Sequence, residues 1–138
     1  MTTTTEYSLP AYVYKILSTA PPSSIPAALP LSDLDRRDGF IHLSNASQIP
    51  ITASLFFTSN TELWLLKLDT RKTIEAGGVY RWNKELPGCP HLYSHTDGEW
   101  IDLGSENVVS SASVARPEGQ TWEDAFLGLK ESGWLVDQ

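Results

Sequence analysis

The sequence has a single cysteine, Cys89, and no long apolar run. One thiol makes neither an internal disulfide nor a cysteine zinc cluster, so the fold must depend on burial alone. The uncharged stretch 43–60 is interrupted by Pro50 and by amide and hydroxyl side chains, which excludes a membrane span of roughly 20 residues. Residues 1–10 carry neither the basic nor the apolar region of a secretory signal, and we therefore expect a cytoplasmic protein.

Cationic side chains are also scarce, since 10 Lys and Arg against 17 Asp and Glu give a net charge of -7. Residues 1–96 hold eight charges of each sign, so the excess lies from Asp97 onward, where nine acids face Arg116 and Lys130. Duplex nucleic-acid binders normally need a basic stripe that releases counterions, and this composition excludes that class. We expect a site for one anionic small molecule in the neutral part, with the acidic C-terminal third as a candidate surface for a protein partner.

The chain has 138 residues, of which 41% are hydrophobic, and this suits one domain rather than two independent cores. The threonine-rich start ends at Pro10 and has the composition of an unanchored terminus. We therefore predict a disordered or loosely attached segment over 1–11 and a single domain over 12–138. The four prolines within 18–31 predict a long irregular connection with one helical turn near 25–29.

Hydrophobic patterning predicts more strands than helices. No helix of ten or more residues separates most of the later strands, so a doubly wound parallel sheet is excluded and an α+β fold of mostly antiparallel strands is expected, with two or three short helices. The Asp97-Gly98 turn predicts a hairpin. Strands are predicted at 12–17, 40–43, 62–69, 79–82, 91–93, 100–103 and 107–114, and helices at 46–58 and from a capping box at Thr121 to a stop at Gly133.

His42 is the first candidate functional residue. It stands at the end of a short strand, two residues before Ser44 and directly ahead of the predicted helix 46–58. An imidazole, a hydroxyl and free backbone N–H groups within a few ångströms suit a phosphate or a polar sugar. The alternative is a core histidine bonded to a carbonyl group, with Ser44 capping the helix.

A second cluster runs from Cys89 to His95 and holds two of the three histidines. His91 and His95 would share a helix face as metal ligands, but Pro90 favours a strand, and no metal site is predicted. On a strand, positions 91, 93 and 95 share one face and form either a ligand wall or a packed surface. A thiolate pair of Cys89 with His91 is a further alternative, without an accompanying oxyanion-hole signature.

Several short runs stand out in the sequence: Tyr14-Lys-Ile16, Asp38-Gly-Phe-Ile-His-Leu-Ser44, Gln48, Leu66-Lys-Leu-Asp69, Trp82 and Pro90-His-Leu-Tyr93. Together they resemble the family catalogued as domain of unknown function 952. The resemblance covers roughly residues 12–115, and the family fold is similar to the ADP-ribosyltransferase superfamily, in which two small sheets form a cleft that holds NAD. Three features depart from the family pattern: Asn83 after the tryptophan, Ser94 after the tyrosine, and the proline-rich connection.

The resemblance implies an ADP-ribosyltransferase-like protein that binds NAD or a related nucleotide, with ADP-ribose transfer as the implied activity. The alternatives are a binding module without activity, for a nucleotide or a protein, and a small-molecule transferase or hydrolase that uses His42 and His91. The resemblance implies His42 on the nicotinamide-side ribose, Ser44 on the same sugar or the amide, and His91 or Tyr93 on the opposite wall. The catalytic glutamate of many relatives has no clear match in this sequence; we assign Glu85 as the catalytic acid and Lys15 to a phosphate or the substrate.

Overall fold

The computed structural model describes residues 9–82 and 89–137 of the chain. These residues form six strands and four helices in an α+β arrangement. In chain order the elements are β1 (Tyr12–Leu17), α1 (Asp33–Asp38), β2 (Ile41–His42), α2 (Ile49–Phe56), β3 (Glu62–Asp69), α3 (Thr70–Glu75), β4 (Gly78–Arg81), β5 (His91–Ser94), β6 (Val108–Ala115) and α4 (Trp122–Glu131).

The described strands make two antiparallel three-stranded sheets. Sheet A has the order β1-β3-β6, and sheet B has the order β2-β5-β4. Among the described residues, an isolated bridge joins the sheets: the backbones of Tyr14 and Ser44 exchange two N–H···O bonds of 2.8 Å. The chain therefore passes from one sheet to the other immediately after His42, which fixes that residue beside the junction.

Both faces of sheet A are covered, which explains the almost continuous apolar run of β3. Because side chains alternate along a strand, Leu63 and Leu65 enter one core with α2 and α4, whereas Leu66 and Leu68 enter the other. The second core lies between sheets A and B and includes Ile41 and other buried aliphatic residues. The sequence prediction of a strongly buried strand over 62–69 is confirmed.

The two longer helices begin by different means. In α4, the Thr121 hydroxyl accepts a hydrogen bond from the Asp124 N–H (3.1 Å), and Gly133 has a positive φ beyond its end, as the sequence predicted. By contrast, α2 begins at Ile49 with no side-chain cap at Gln48. Asn45 Oδ1 accepts from the Gln48 N–H (2.9 Å) in the turn that leads into this helix, whereas the Ser44 hydroxyl contacts Cys89 and does not cap it.

The proline-rich segment, residues 18–31, packs closely on a glycine of the loop before β6. A Cβ at Gly104 would lie 2.1 Å from the carbonyl oxygen of Ala27, a distance that no side chain can occupy. Two backbone bonds flank this contact, from Leu29 N to Leu103 O and from Ser105 N to Pro26 O. The segment is thus attached to the body of the protein, and the expected helical turn near 25–29 is not present there.

Three sequence expectations about secondary structure are wrong. The helices α1 and α3 were not predicted, so the described residues hold four helices instead of two or three. Residues 100–103 are not a strand, so the predicted hairpin at Asp97-Gly98 is also wrong, although a turn with positive φ at Gly98 is present there. Ile101 and Leu103 are buried in the second core from an irregular chain, since Asn107 and the proline-rich segment bond the backbone there.

A further finding concerns the segment 1–11. Most of that segment lies outside the described residues, but Leu9 packs against the second core and the Ala11 carbonyl accepts from Thr70 N (3.0 Å).

Over residues 9–82 and 89–137, none of the helices combines the length and the apolar character that a bilayer crossing needs.

Candidate functional site

The outer face of sheet B carries rings and one guanidinium group. His42 pairs with His91 across β2 and β5, and His91 pairs with Arg81 across β5 and β4. Directly opposed residues of antiparallel strands point to the same side, and residues two apart do so as well. We call the surface formed by Phe40, His42, Arg81, His91 and Tyr93 the ring face.

Phe40 is the central ring of this surface. Its centroid lies 3.9 Å from that of His91 in a stacked arrangement, 4.5 Å from His42 and 5.3 Å from Tyr93. The two imidazole centroids are 5.7 Å apart, and the Arg81 guanidinium lies 5.2 Å from the Tyr93 centroid. The four ring side chains are half-buried, while Arg81 is exposed. The ring face therefore offers flat apolar surface next to hydrogen-bonding nitrogens and one cation.

Two carboxylates of α1 hold the His42 ring. The Nδ1 atom lies 2.7 Å from Asp35 Oδ1, and the Nε2 atom lies 3.0 Å from Asp38 Oδ2. Asp35 Oδ1 also accepts the backbone N–H of His42 (3.1 Å). Since an ionised carboxylate only accepts, Nδ1 carries a proton in this arrangement, and Nε2 must carry one too for the contact with Asp38 to be a hydrogen bond.

Lys15 lies behind the ring face and completes a buried group of charges. Its ammonium is 2.8 Å from Asp35 Oδ2 and donates to the His42 carbonyl oxygen at 3.2 Å. Asp35 is 1% exposed and Lys15 is 8% exposed, so solvent screens this ion pair little. Lys15 therefore reaches the backbone of His42 from sheet A and does not lie on the ring face.

The electrostatics of the site favour an ionised Asp35 and a neutral His91. Burial raises the pKa of Asp35, but the hydrogen bonds from His42 and the charge of Lys15 outweigh it and hold that pKa below its ordinary value. Partial burial lowers the pKa of His91, and His42 lowers it further, whereas Asp38 acts in the opposite direction. A neutral His91 ring is able to stack on a ligand and to offer one donor and one acceptor.

At the far end of β2, Ser44 lies in a small polar contact with Cys89. Its hydroxyl is 3.8 Å from Cys89 Sγ, which is in turn 3.6 Å from Thr52 Oγ1 of α2. Ser44 is 4% exposed, and its backbone is committed to the bridge with Tyr14. Within the described residues, the polar contacts of Cys89 are with these two hydroxyl groups and not with His91. The alternative prediction of a thiolate pair formed by Cys89 and His91 is therefore wrong.

The sequence analysis predicted that free backbone N–H groups after Ser44 would bind a phosphate, but these groups already have an acceptor. The two oxygens of Asp137 accept from the N–H groups of Ala46 (2.8 Å) and Ser47 (3.0 Å). Helix α2 begins only at Ile49. The expectation that free N–H groups adjoin His42 is therefore wrong, because a carboxylate from the C-terminal part of the chain occupies them.

The remaining candidates lie apart from the ring face or outside the described residues. His95 follows the end of β5, and its Nδ1 lies 3.1 Å from the Gly77 carbonyl oxygen, so it does not join the other two histidines. Glu85 lies outside the described residues. No group of three metal-ligating side chains occurs within the described ranges 9–82 and 89–137.

Sequence reasoning missed Asp35, Asp38, Phe40 and Arg81 as site residues. Only Phe40 had a readable signal, since it lies two residues before His42 and so shares its strand face. Arg81 enters through the register of β4 with β5, and Asp35 enters through the packing of α1, neither of which leaves a mark in the local sequence.

The fold and site define a two-sheet α+β protein whose smaller sheet presents an imidazole-rich face. Residues 24–111, more than half of the chain, match the family described as "Protein of unknown function (DUF952)", and the chain belongs to that family. It is similar to the crystal structure of protein CC0527 from Caulobacter crescentus, with a TM-score of 0.62 and 27% identity over 80% of this chain and 91% of that one.

A double mutant of CC0527 gives nearly the same result, with a TM-score of 0.61 and 26% identity over the same shares of the two chains. No curated protein matches this chain. The ring face and Asp35 fall within the matched residues 24–111, whereas Lys15 precedes them.

Proposed function

We propose that the ring face binds NAD or a related nucleotide, with His42 as the residue that hydrogen-bonds the sugar. The observation that carries the proposal is the position of His42, whose ring is anchored at Nδ1 by buried Asp35 while it borders a surface of stacked rings. A nucleotide joins flat rings to a polar sugar and a phosphate, and such a ligand fits a surface with those three complements.

Each part of the ring face supports one part of this ligand. Nicotinamide or adenine would stack on the rings of Tyr93 and His91. The pKa of His91 is lowered, so its imidazole stays neutral and suits a stacked ring. The exposed guanidinium of Arg81 lies beside Tyr93 and would pair with a phosphate oxygen. The fold proposed with this function is the ADP-ribosyltransferase type, to which two small joined sheets are suited.

His42 would act through its outer nitrogen. The Asp35 contact keeps the Nδ1 proton inward, so that the Nε2 side faces the ligand once exposed Asp38 turns away. The same arrangement favours a second candidate function, in which His42 is a general base of a small-molecule transferase or hydrolase and His91 assists it, because an inner carboxylate orients such a base. The proposal assigns no catalytic acid.

Calorimetric titration with NAD, ADP-ribose and nicotinamide tests the binding. The Arg81→Gln substitution should weaken the binding of NAD and ADP-ribose by about tenfold, because it removes the charge-assisted contact with a phosphate oxygen. The affinity for nicotinamide, which has no phosphate, should stay unchanged. Arg36→Gln is the matched control, since Arg36 is exposed on α1 and outside the ring face. No binding of any of the three ligands at millimolar concentration would refute the proposal.

Release of nicotinamide from NAD separates the activities. Turnover that disappears in His42→Gln, while the variant stays folded and binds ADP-ribose, supports transfer or hydrolysis at His42. Tight binding without turnover supports a binding module.

A further inference from the structure

A separate cavity lies on the inner side of the Lys15 and Asp35 ion pair. Its volume is about 140 Å³, and its described lining includes five leucines and three prolines, among them Leu31 and Leu103. Lys15 and Asp35 are the charged groups of this lining. We call it the Lys15 cavity. It is bounded by the proline-rich segment, so it is distinct from the ring face on the outer side of sheet B.

The size and lining of the Lys15 cavity suit one small apolar group. An apolar cavity of about 150 Å³ is large enough to hold a benzene molecule. The exposed side chain of Ala20 stands in the lining, which indicates an entrance from solvent along the proline-rich segment. Most of a small hydrocarbon body would therefore contact leucine and proline carbons.

The polar groups of the lining specify the head of the ligand. Lys15 has three N–H donors, of which one reaches the His42 carbonyl oxygen and one faces Asp35 Oδ2. Within the described residues, that oxygen has no hydrogen-bond donor beyond the ion-pair contact. The third Lys15 donor and an acceptor oxygen with no donor besides Lys15 thus lie side by side, just beneath the cavity surface, where the two formal charges already cancel.

From these observations we propose that the Lys15 cavity binds a small neutral molecule with a branched or cyclic hydrocarbon body and a primary carboxamide head. The amide carbonyl accepts from Lys15, and the amide N–H donates to Asp35 Oδ2. A carboxylate of the same shape offers no donor to Asp35 and brings a second negative charge into a buried place, which is unfavourable. The cavity therefore selects the neutral amide over the acid.

Three isosteric aliphatic probes test this selection: isovaleramide, isovalerate and 4-methyl-2-pentanone. Aliphatic probes are preferable because the ring face favours aromatic ligands. In titrations followed by amide NMR shifts, isovaleramide should bind with saturation and move the signals of Leu31 and Leu103. The ketone should bind about tenfold more weakly, since it lacks the donor to Asp35, and the carboxylate should bind more weakly still.

A pair of tryptophan substitutions locates the binding. Ala20→Trp fills the entrance at an exposed position and should weaken isovaleramide by at least about tenfold, through lost access and volume. Ala28→Trp is the control, because Ala28 is exposed in the same segment and does not line the cavity. The proposal is overturned by unchanged affinity in Ala20→Trp, by isovalerate binding as tightly as the amide, or by the absence of saturable shifts. None of these results depends on whether NAD binds the ring face.

Discussion

Removal of the Asp35 carboxylate tests how the interior is held together. In Asp35→Ala, the ammonium of Lys15 keeps its bond to the His42 carbonyl oxygen but loses its counter-charge. Lys15 is only 8% exposed, so water does little to replace that charge. Removing one partner of a buried ion pair typically costs about 3–5 kcal/mol. Because Asp35 is 1% exposed, no large reduction for solvent screening applies. We expect a loss within that range at pH 7, a large part of the total stability of about 5–15 kcal/mol usual for a domain.

Urea unfolding measures this loss, with the midpoint and the slope analysed together. Asp38→Ala is the matched control: Asp38 also contacts His42, but its side chain is 30% exposed, so solvent screens the contact and the urea midpoint should change little. Adding Lys15→Met to Asp35→Ala should restore part of the stability, since the unpaired charge is removed. A loss below about 1 kcal/mol for Asp35→Ala, or no recovery in the double variant, would refute the buried ion pair as an energetic unit.

Three further predictions follow from other contacts. Because the pKa of His91 is lower in the folded than in the unfolded protein, the contribution of His91 to stability is present above the unfolded pKa near 6.5 and is lost as the pH falls through the folded pKa. The urea midpoint of His91→Gln should therefore vary less than that of the wild type between about pH 7 and 5. Gly104→Ala should destabilise by about 1–3 kcal/mol because its Cβ meets the Ala27 carbonyl, whereas Gly128→Ala, with open space in α4, should stabilise by roughly 0.5–1 kcal/mol, both measured by thermal unfolding. Asp137→Ala removes the acceptor of two backbone N–H groups and should cost about 1 kcal/mol in urea unfolding, and a stable variant would contradict that role.

Elements with a strong pattern could be predicted from the sequence, and elements held by single polar contacts could not. The strand β3 has a nearly continuous apolar centre, and α4 has both its cap at Thr121 and its stop at Gly133. The missed helix α1 has the sequence DLDRRD, which lacks apolar periodicity. It is capped by Ser32, whose hydroxyl accepts from Asp35 N, and it buries a carboxylate instead of an apolar stripe.

The candidate site shows the same division. The histidines of the two family-like runs, His42 and His91, lie side by side because each ends up on a short strand of sheet B. Their partners could not be read from the sequence, since Asp35 and Arg81 reach them through tertiary packing and strand register. Lys15 was expected to face a phosphate, but alternation along β1 directs it, with Val13 and Leu17, toward the inner core.

This inward position gives Lys15 an effect on the ring face without contact with a ligand there. Strand β2 is two residues long, too short for its own ladder to hold a side chain rigidly. His42 is instead held from the interior at three atoms, its N–H and Nδ1 by Asp35 and its carbonyl oxygen by Lys15, in addition to the outer contact of Nε2 with Asp38. Binding sites need side chains locked by such supporting contacts, because a small displacement weakens every hydrogen bond to the ligand. The ion pair between sheet A and α1 therefore sets the geometry of the imidazole on sheet B, and the buried charges belong to the candidate site as much as the half-buried rings do.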